Sequence, residues 1–396
     1  MTDVASNTLL NINMITAKAL VILHQKLNFV GSINRQYDDS FAQSGAKIGT
    51  TLRIRNPVQY TVSSGPTLAV QNSVETNTSL TISTQKHVDF SFSSQELTLN
   101  IDDFAARYIE PAINVLAANV EADALSMVNS VWNQVNGQGA PQSFKNVLTG
   151  RKILLDNLTP QSKQWMVRLN TQDNVDLVDS LKGLFQSSQR IATQYTDGVM
   201  GYTAGFEFAE NTFLSQLTPG AEAGYLVNGA NQTGSSLVVK TGTGAGNAGD
   251  IFTINNVFRV HPETKAVTST LQQFVLTAAY TGGAGTMQFA PAIVTSGAFQ
   301  NVSASPADSA VVTFAGTAST PTGNSICYHP DAFTFATADL VMPRGVDMAS
   351  RAEKDGLSIR VVRQYDINND VLPCRLDILY GYQAIRPQLA CRLAAN

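Results

Sequence analysis

The sequence predicts an α+β fold interrupted by an all-β segment, and three observations carry that reading. A long amphipathic run, Ile101 to Val131, has helical spacing, and β-patterned runs lie on both sides of it. Thr218 to Thr320 then changes character. It holds 13 of the chain's 28 glycines but only seven of its 56 Asp, Glu, Lys and Arg residues, with short alternating runs between the glycines.

Each element follows from local pattern. Asn13 is placed to cap a helix reaching about Asn28, in which Ile15, Ala19, Leu23 and Leu27 form one apolar stripe. Leu52 and Ile54 then alternate with Arg53 and Arg55, Leu80 and Ile82 with Thr81 and Ser83, and Val88, Phe90 and Phe92 share a face. Breaks at Asn56-Pro57 and Ser63-Ser64-Gly65-Pro66 make this stretch a long two-stranded excursion. Asn100 caps the main helix, with Asp102 and Asp103 in the first turn, where carboxylates complement the helix dipole. Phe104, Tyr108, Ala112, Leu116, Val120, Ala124 and Met127 line its face, over a length of about 45 Å. Pro111 is expected to kink it by removing a backbone donor.

Gly137 to Pro160 reads as loop-rich, Gln164 to Leu169 as a strand and Asn174 to Phe185 as a helix. Strands are expected at Ser236–Val239, Asp250–Val260 and Leu271–Thr277 within the glycine-rich segment. After it, Asp331 to Leu340 is rich in Ala and Phe. Leu357–Tyr365 and Cys374–Tyr380 flank an Asn368-Asn369 turn, and Leu389–Leu393 is a last β-run.

Composition narrows the function classes. At 396 residues the chain can bury a sizeable core, yet only 14 % of it is charged, against about 25 % for an average soluble domain. So few charges point to a surface partly covered by like copies. The net charge of −4, with scattered Lys and Arg, gives no footprint for sequence-specific nucleic-acid binding. Cys327, Cys374 and Cys391 lie far apart, without a C-x-x-C pair, and read as reduced structural thiols. Asp3 and the lack of a continuous apolar run near Met1 argue against a cleaved signal. The uncharged stretch Ala266 to Ala307 is threaded with Gly, Ser, Thr and Gln and is not a membrane segment.

Four runs carry a family resemblance: NRQYDDSFAQSGAKIGTTLRIR (Asn34 to Arg55), GDIFTINNVFRVHPETK (Gly249 to Lys265), VRQYDINND (Val362 to Asp370) and PCRLDILYG (Pro373 to Gly381). Distributed almost from end to end, they resemble the coat proteins of short-tailed, lambda-like tailed bacteriophages, which have the HK-97-like capsid fold and an inserted β-barrel domain. The resemblance implies an order of parts: an N-terminal arm (1–44), an extended loop lying across a neighbouring subunit (45–95) and the spine helix of a peripheral domain (96–140). An axial domain (141–217) would be followed by the inserted β domain (218–320) and the return of axial and peripheral domains (321–396). It further implies a major capsid protein in pentamers and hexamers of an icosahedral shell, assembled in the host bacterial cytoplasm. Its partners would be a scaffolding protein, a portal and a decoration protein, with double-stranded DNA enclosed but not read by sequence. No cofactor, metal or catalytic residue is expected. Arg53 and Arg55 are the candidate intersubunit contacts, because a two-stranded excursion cannot form a core by itself. Relatives of this fold that crosslink use a loop Lys; Lys47 and Lys86 sit near the excursion, but the nearer, non-crosslinking relatives argue against that chemistry here.

Other motifs have plainer readings. Gly244-x-Gly246-x-x-Gly249 matches dinucleotide-fingerprint spacing, but a strand-like run follows where a helix would have to hold the pyrophosphate, so it reads as a turn. His24, His87, His261 and His329 lack metal-ligand spacing. Cys327-x-His329 has no nucleophile elbow or orienting carboxylate pattern around it. The Asp38-Asp39 and Asp102-Asp103 pairs point in divergent directions and do not make an acid and base. The sequons at Asn77, Asn231 and Asn301 matter only in a secreted eukaryotic protein. Two rival readings remain at this point. A tail or carbohydrate-binding β-rich virion protein would not need the helix from Ile101, and a hydrolase would need convergent groups.

Overall fold

The computed structural model describes residues 16, 20, 21, 23, 27–35, 51–68, 70–93, 110–161, 164–181, 201–354 and 357–395. Asp38-Asp39, Lys47, His24, Asp102-Asp103, the expected start of the long helix and most of the helix expected over Asn13 to Asn28 lie outside them.

The described elements begin with α1 (Asn28–Ser32), β1 (Thr51–Arg55), β2 (Asn77–Thr81), β3 (Thr84–Ser93) and α2 (Glu110–Leu125). Next come β4 (Gln134–Gly137), α3 (Phe144–Asp156), β5 (Trp165–Leu169), α4 (Thr171–Leu181), β6 (Tyr202–Thr203) and β7 (Phe206–Glu210). The glycine-rich segment supplies β8 (Ala223–Val227), β9 (Gly234–Thr243), β10 (Ile251–Val260), β11 (Val267–Leu276), β12 (Gly285–Ile293) and β13 (Val312–Phe314). The chain closes with β14 (Gly323–Tyr328), β15 (Phe333–Ala338), β16 (Met348–Lys354), β17 (Leu357–Arg363), β18 (Val371–Ala384) and β19 (Ala390–Ala395). The fold is mixed α+β, as the sequence predicts.

Two compact units divide these elements. The first draws on Met1–Ile54, Ser79–Ala124 and Thr334–Gln383. Its sheet runs β15-β18-β17-β16, with β3 paired antiparallel along β18 from Thr84–Tyr380 to Ser93–Val371. Val88, Phe90 and Phe92, which the sequence places on one face, form the half-buried side of β3, in a sheet that distant β18 completes. Gly381 of β18 is required by close approach, since a Cβ there would lie 2.2 Å from the Thr81 carbonyl oxygen. Helix α2 buries Ala112, Ile113, Leu116, Ala117, Val120 and Ala124, the face its periodicity marks. From the same helix, Glu121 accepts the backbone N–H groups of Phe29 and Val30, satisfying donors that α1 leaves open.

The second unit draws on Arg55–Thr78, Leu125–Phe333 and Ala384–Asn396. One sheet is mixed, ordered β4-β19-β14-β5-β7-β6, with β19 parallel to β4 and β5 parallel to β7. Trp165, Val167, Leu169, Phe206, Phe208, Cys327 and Leu393 pack into its core with Val147 and Leu154 of α3. Helix α3 corrects the loop-rich reading of Gly137 to Pro160. Ser143 caps it, its hydroxyl accepting from Asn146 N at 3.3 Å, and Val147, Gly150 and Leu154 turn inward. The glycine in that stripe and the polar residues between hid its period. Helix α4 starts at Thr171, three residues earlier than expected, because Asn170 Oδ1 accepts the Asp173 N–H at 2.6 Å.

The other sheet is ordered β13-β10-β11-β12-β9-β8 and is antiparallel throughout. It buries its own apolar cluster, including Tyr225, Leu237, Phe252, Phe274, Met287 and Phe289. Phe252 is central, with ring centroids 5.5 Å from Phe274, 5.7 Å from Phe289 and 5.4 Å from Phe314. Each strand expected in this segment is present: β9 is longer at both ends, β10 begins one residue later, and β11 begins four residues earlier and ends one residue earlier.

Candidate intersubunit surface

Among the described residues, strands β1 and β2 pair only with each other. Alternation gives this ribbon two unlike faces: Ile54 and Leu80 are buried, whereas Thr51, Arg53 and Arg55 are exposed. Backbone and side-chain bonds continue the ribbon past its strands, with Asn56 N donating to Thr76 O at 2.8 Å and Thr61 N donating to Gln71 Oε1 at 2.9 Å. Between those contacts Tyr60, Val62, Leu68, Val70 and Val74 all face solvent, Val62 at 95 % exposure. Five large apolar side chains within fifteen residues of chain are thus left in water, at a cost in free energy.

Arg53 and Arg55 sit where the sequence places them, on the solvent face of β1. Arg55 Nη1 lies 3.7 Å from Glu75 Oε2, with both side chains largely exposed. Such a pair is screened by water and holds its guanidinium weakly. Sequence reading missed the apolar tip, because Tyr60 to Val74 alternates poorly and is broken by Gly65-Pro66.

No reactive constellation assembles from the other candidates. Gly244 and Gly249 take positive φ values of 83° and 99°, and the turn leads directly into β10 rather than a helix. Cys327 donates to the Cys391 carbonyl oxygen at 3.3 Å, and burial pushes its thiol well above the ordinary range, which disfavours the nucleophilic thiolate. His329 Nδ1 accepts the Asp331 N–H at 3.1 Å and caps a short 3-10 turn, Pro330–Ala332. His87 pairs with Asp89 at 2.7 Å on the surface, and His261 Nδ1 accepts from Thr264 N at 3.1 Å. Lys86 Nζ is held 2.7 Å from Asp123 Oδ2. Among the described residues, no three His, Cys, Asp or Glu side chains converge on one point, and no helix is long and apolar enough to cross a membrane.

Comparison with known proteins identifies the family. The family described as P22 coat protein, gene protein 5, matches residues 36–393. No curated protein matches the chain. Similar solved structures include one from Mycobacterium phage Che8, with 12 % identity over 91 % of this chain and 89 % of that one, at a TM-score of 0.49. Another, the capsid of cyanophage P-SCSP1u, has 11 % identity over 88 % and 84 % of the two chains and a TM-score of 0.44. A third, the satellite phage P4 procapsid including size determination (Sid) protein, has 8 % identity over 96 % and 91 % and a TM-score of 0.42. The family match carries the identification: this chain belongs to the P22 coat protein family. It is a structural virion protein, not an enzyme: the major capsid protein of a tailed phage, whose copies build the head shell. That membership sets aside the tail-fibre, carbohydrate-binding and hydrolase readings.

Proposed function

We propose that the β1–β2 ribbon is the part of this coat protein that joins one subunit to the next. In this reading the ribbon lies across a neighbour, its apolar tip is covered there, and Arg53 and Arg55 meet carboxylates or carbonyls of that neighbour. The observation that carries it is the group of exposed apolar side chains between Tyr60 and Val74, beyond a strand whose two arginines are solvent-facing. Such contacts are heterologous and close into rings of five or six subunits.

The same reading gives the chain an HK-97-like layout, with arm (1–44), extended loop (45–95), spine helix (96–140), axial domain (141–217), the return of axial and peripheral domains (321–396) and, between those two, an inserted β domain (218–320). The separate apolar cluster of the six-stranded sheet supports the last part. Assembly would begin in the host cytoplasm around a scaffolding protein, with a portal and a decoration protein as further partners. Rigid shifts of the domains would then accompany packaging of double-stranded DNA.

Replacing Arg53 and Arg55 together by Ala tests the ribbon. Shell formation followed by light scattering is expected to slow, with the circular dichroism of the unassembled subunit unchanged. Assembly at the wild-type rate would remove both arginines from the interface.

A further inference from the structure

The glycine motif that binds no dinucleotide has another use. Gly220, Gly244 and Gly246 bring two stretches of backbone into contact at the root of the six-stranded sheet. A Cβ on Gly246 would lie 2.6 Å from Glu222 Oε1, one on Gly220 would lie 2.8 Å from Glu222 Oε2, and one on Gly244 would lie within the Ala221 carbonyl. These glycines therefore leave a slot that the Glu222 carboxyl fills. Asp250, 2 % exposed and immediately before β10, lies within hydrogen-bond reach of that carboxyl.

Two carboxylates cannot hydrogen-bond each other, because both only accept. Asp250 Oδ2 is satisfied by Gly220 N at 3.0 Å and Asn247 N at 2.6 Å. Asp250 Oδ1 and Glu222 Oε1, both buried, have no donor. From β19, the fully buried Arg392 donates Nη2 to the carbonyl of Gly249, next to Asp250, at 2.8 Å; the Asp250 charge acts on it, while its Nε and Nη1 are unpaired. The remaining titratable neighbours are Tyr225, Tyr280 and Cys391. Tyr225 donates to Gly244 O at 2.6 Å and Tyr280 to Gly283 O at 2.7 Å, so neither hydroxyl proton points at the carboxyls.

We propose that Glu222 keeps its proton at neutral pH and donates it to Asp250, and that this carboxyl–carboxylate pair, balanced by Arg392, is a proton-binding clamp fastening the root of the six-stranded sheet to the mixed sheet. With one proton the cluster is electrically neutral: one anion, one guanidinium and one neutral acid. Without it, a second negative charge stands beside Asp250 in a site with little water, which is unfavourable. Burial, and next the hydrogen bond with Asp250, raise Glu222 to about 8 from an ordinary 4.5.

The sign follows from linkage. Between about 4.5 and about 8 the folded chain holds a proton that the unfolded chain has released, so this site's stabilisation is full below that window and is lost as pH rises through it. Glu222→Gln keeps a donor for Asp250 and cannot titrate. In urea unfolding of the full chain, the unfolding constant of the native sequence relative to E222Q is expected to rise about tenfold per pH unit across that window, then level off. Infrared spectra of the native chain should show a protonated-carboxyl band persisting at neutral pH, disappearing near pH 8, and missing from E222Q. A ratio indifferent to pH, or a native spectrum with no such band at neutral pH, would overturn the clamp. The native spectrum decides the matter even if E222Q does not fold.

Discussion

Asp377 shows how one side chain can organise an element. It is fully buried on β18, yet it accepts Arg360 Nε at 3.0 Å and Nη2 at 2.6 Å, Arg375 Nε at 3.2 Å and Gln85 Nε2 at 3.0 Å. Four donors from three strands replace the water that burial removed, and the two-pronged Arg360 contact fixes their orientation. Removing the charge leaves Arg360 without its counterion. Asp377→Asn is therefore expected to destabilise the fold by about 3–5 kcal/mol, as breaking a buried pair does, measured by urea unfolding. A loss below about 1 kcal/mol would show that Arg360 finds another acceptor. None of this was legible from the sequence. Asp377 lies in an alternating run like any solvent-facing residue, and apart from Arg375 its partners are 17 and 292 positions away. Arg53 and Arg55, in contrast, were legible, because strand alternation alone assigns them to the face opposite Ile54.

At the scale of elements, the long helix and the β-runs were readable wherever period and burial coincide. Helix α2 buries the predicted stripe from Ala112 to Ala124, and β17 and β18 flank the expected turn, where Asn368 N donates to Asp366 Oδ1 at 3.0 Å. Helix α3 escaped because Gly150 occupies its core stripe. The reason for that glycine is tertiary: a Cβ there would come within 2.8 Å of Cys327 Sγ and 3.1 Å of Leu393 Cδ2. In an isolated helix, Gly to Ala gains about 1 kcal/mol. Here the overpacking opposes it, so Gly150→Ala is expected to destabilise by about 1–2 kcal/mol net. A raised thermal midpoint in calorimetry would mean that the helix moves off the sheet at little cost. Strand β16 escaped for a different reason. Met348 to Lys354 carries charged residues and small side chains, and it becomes a strand only through its seven-residue register with β17.

For the whole molecule, the decisive feature is that the glycine-rich segment closes a core of its own. Every member of that cluster lies between Tyr225 and Val312, and Phe252 stacks within it. A fragment covering 218–320 is accordingly expected to unfold cooperatively in urea when expressed alone, at lower stability than in the full chain because Arg392 is left behind. A fragment with no sigmoidal transition would show that the mixed sheet is needed for its folding, and would remove the domain boundary proposed above. The ribbon represents the opposite case. Its tip exposes Tyr60, Val62, Leu68, Val70 and Val74, and no other described residue of the chain covers them. One segment carries its core within itself, and the other, in the reading proposed above, is completed by a second copy.

What the sequence alone determined was set by local physics: the α+β class, the strands with a two-residue period, the solvent face of β1 and the turn at the glycine motif. The family runs added the capsid reading. Tertiary structure alone decided which distant strands complete each sheet, as β18 completes β3, and which charges are buried together, as Glu222, Asp250 and Arg392 are. Periodicity records which side of an element is apolar, but not what will cover it. Charge pairing across hundreds of residues leaves no mark on either neighbourhood until the chain has folded.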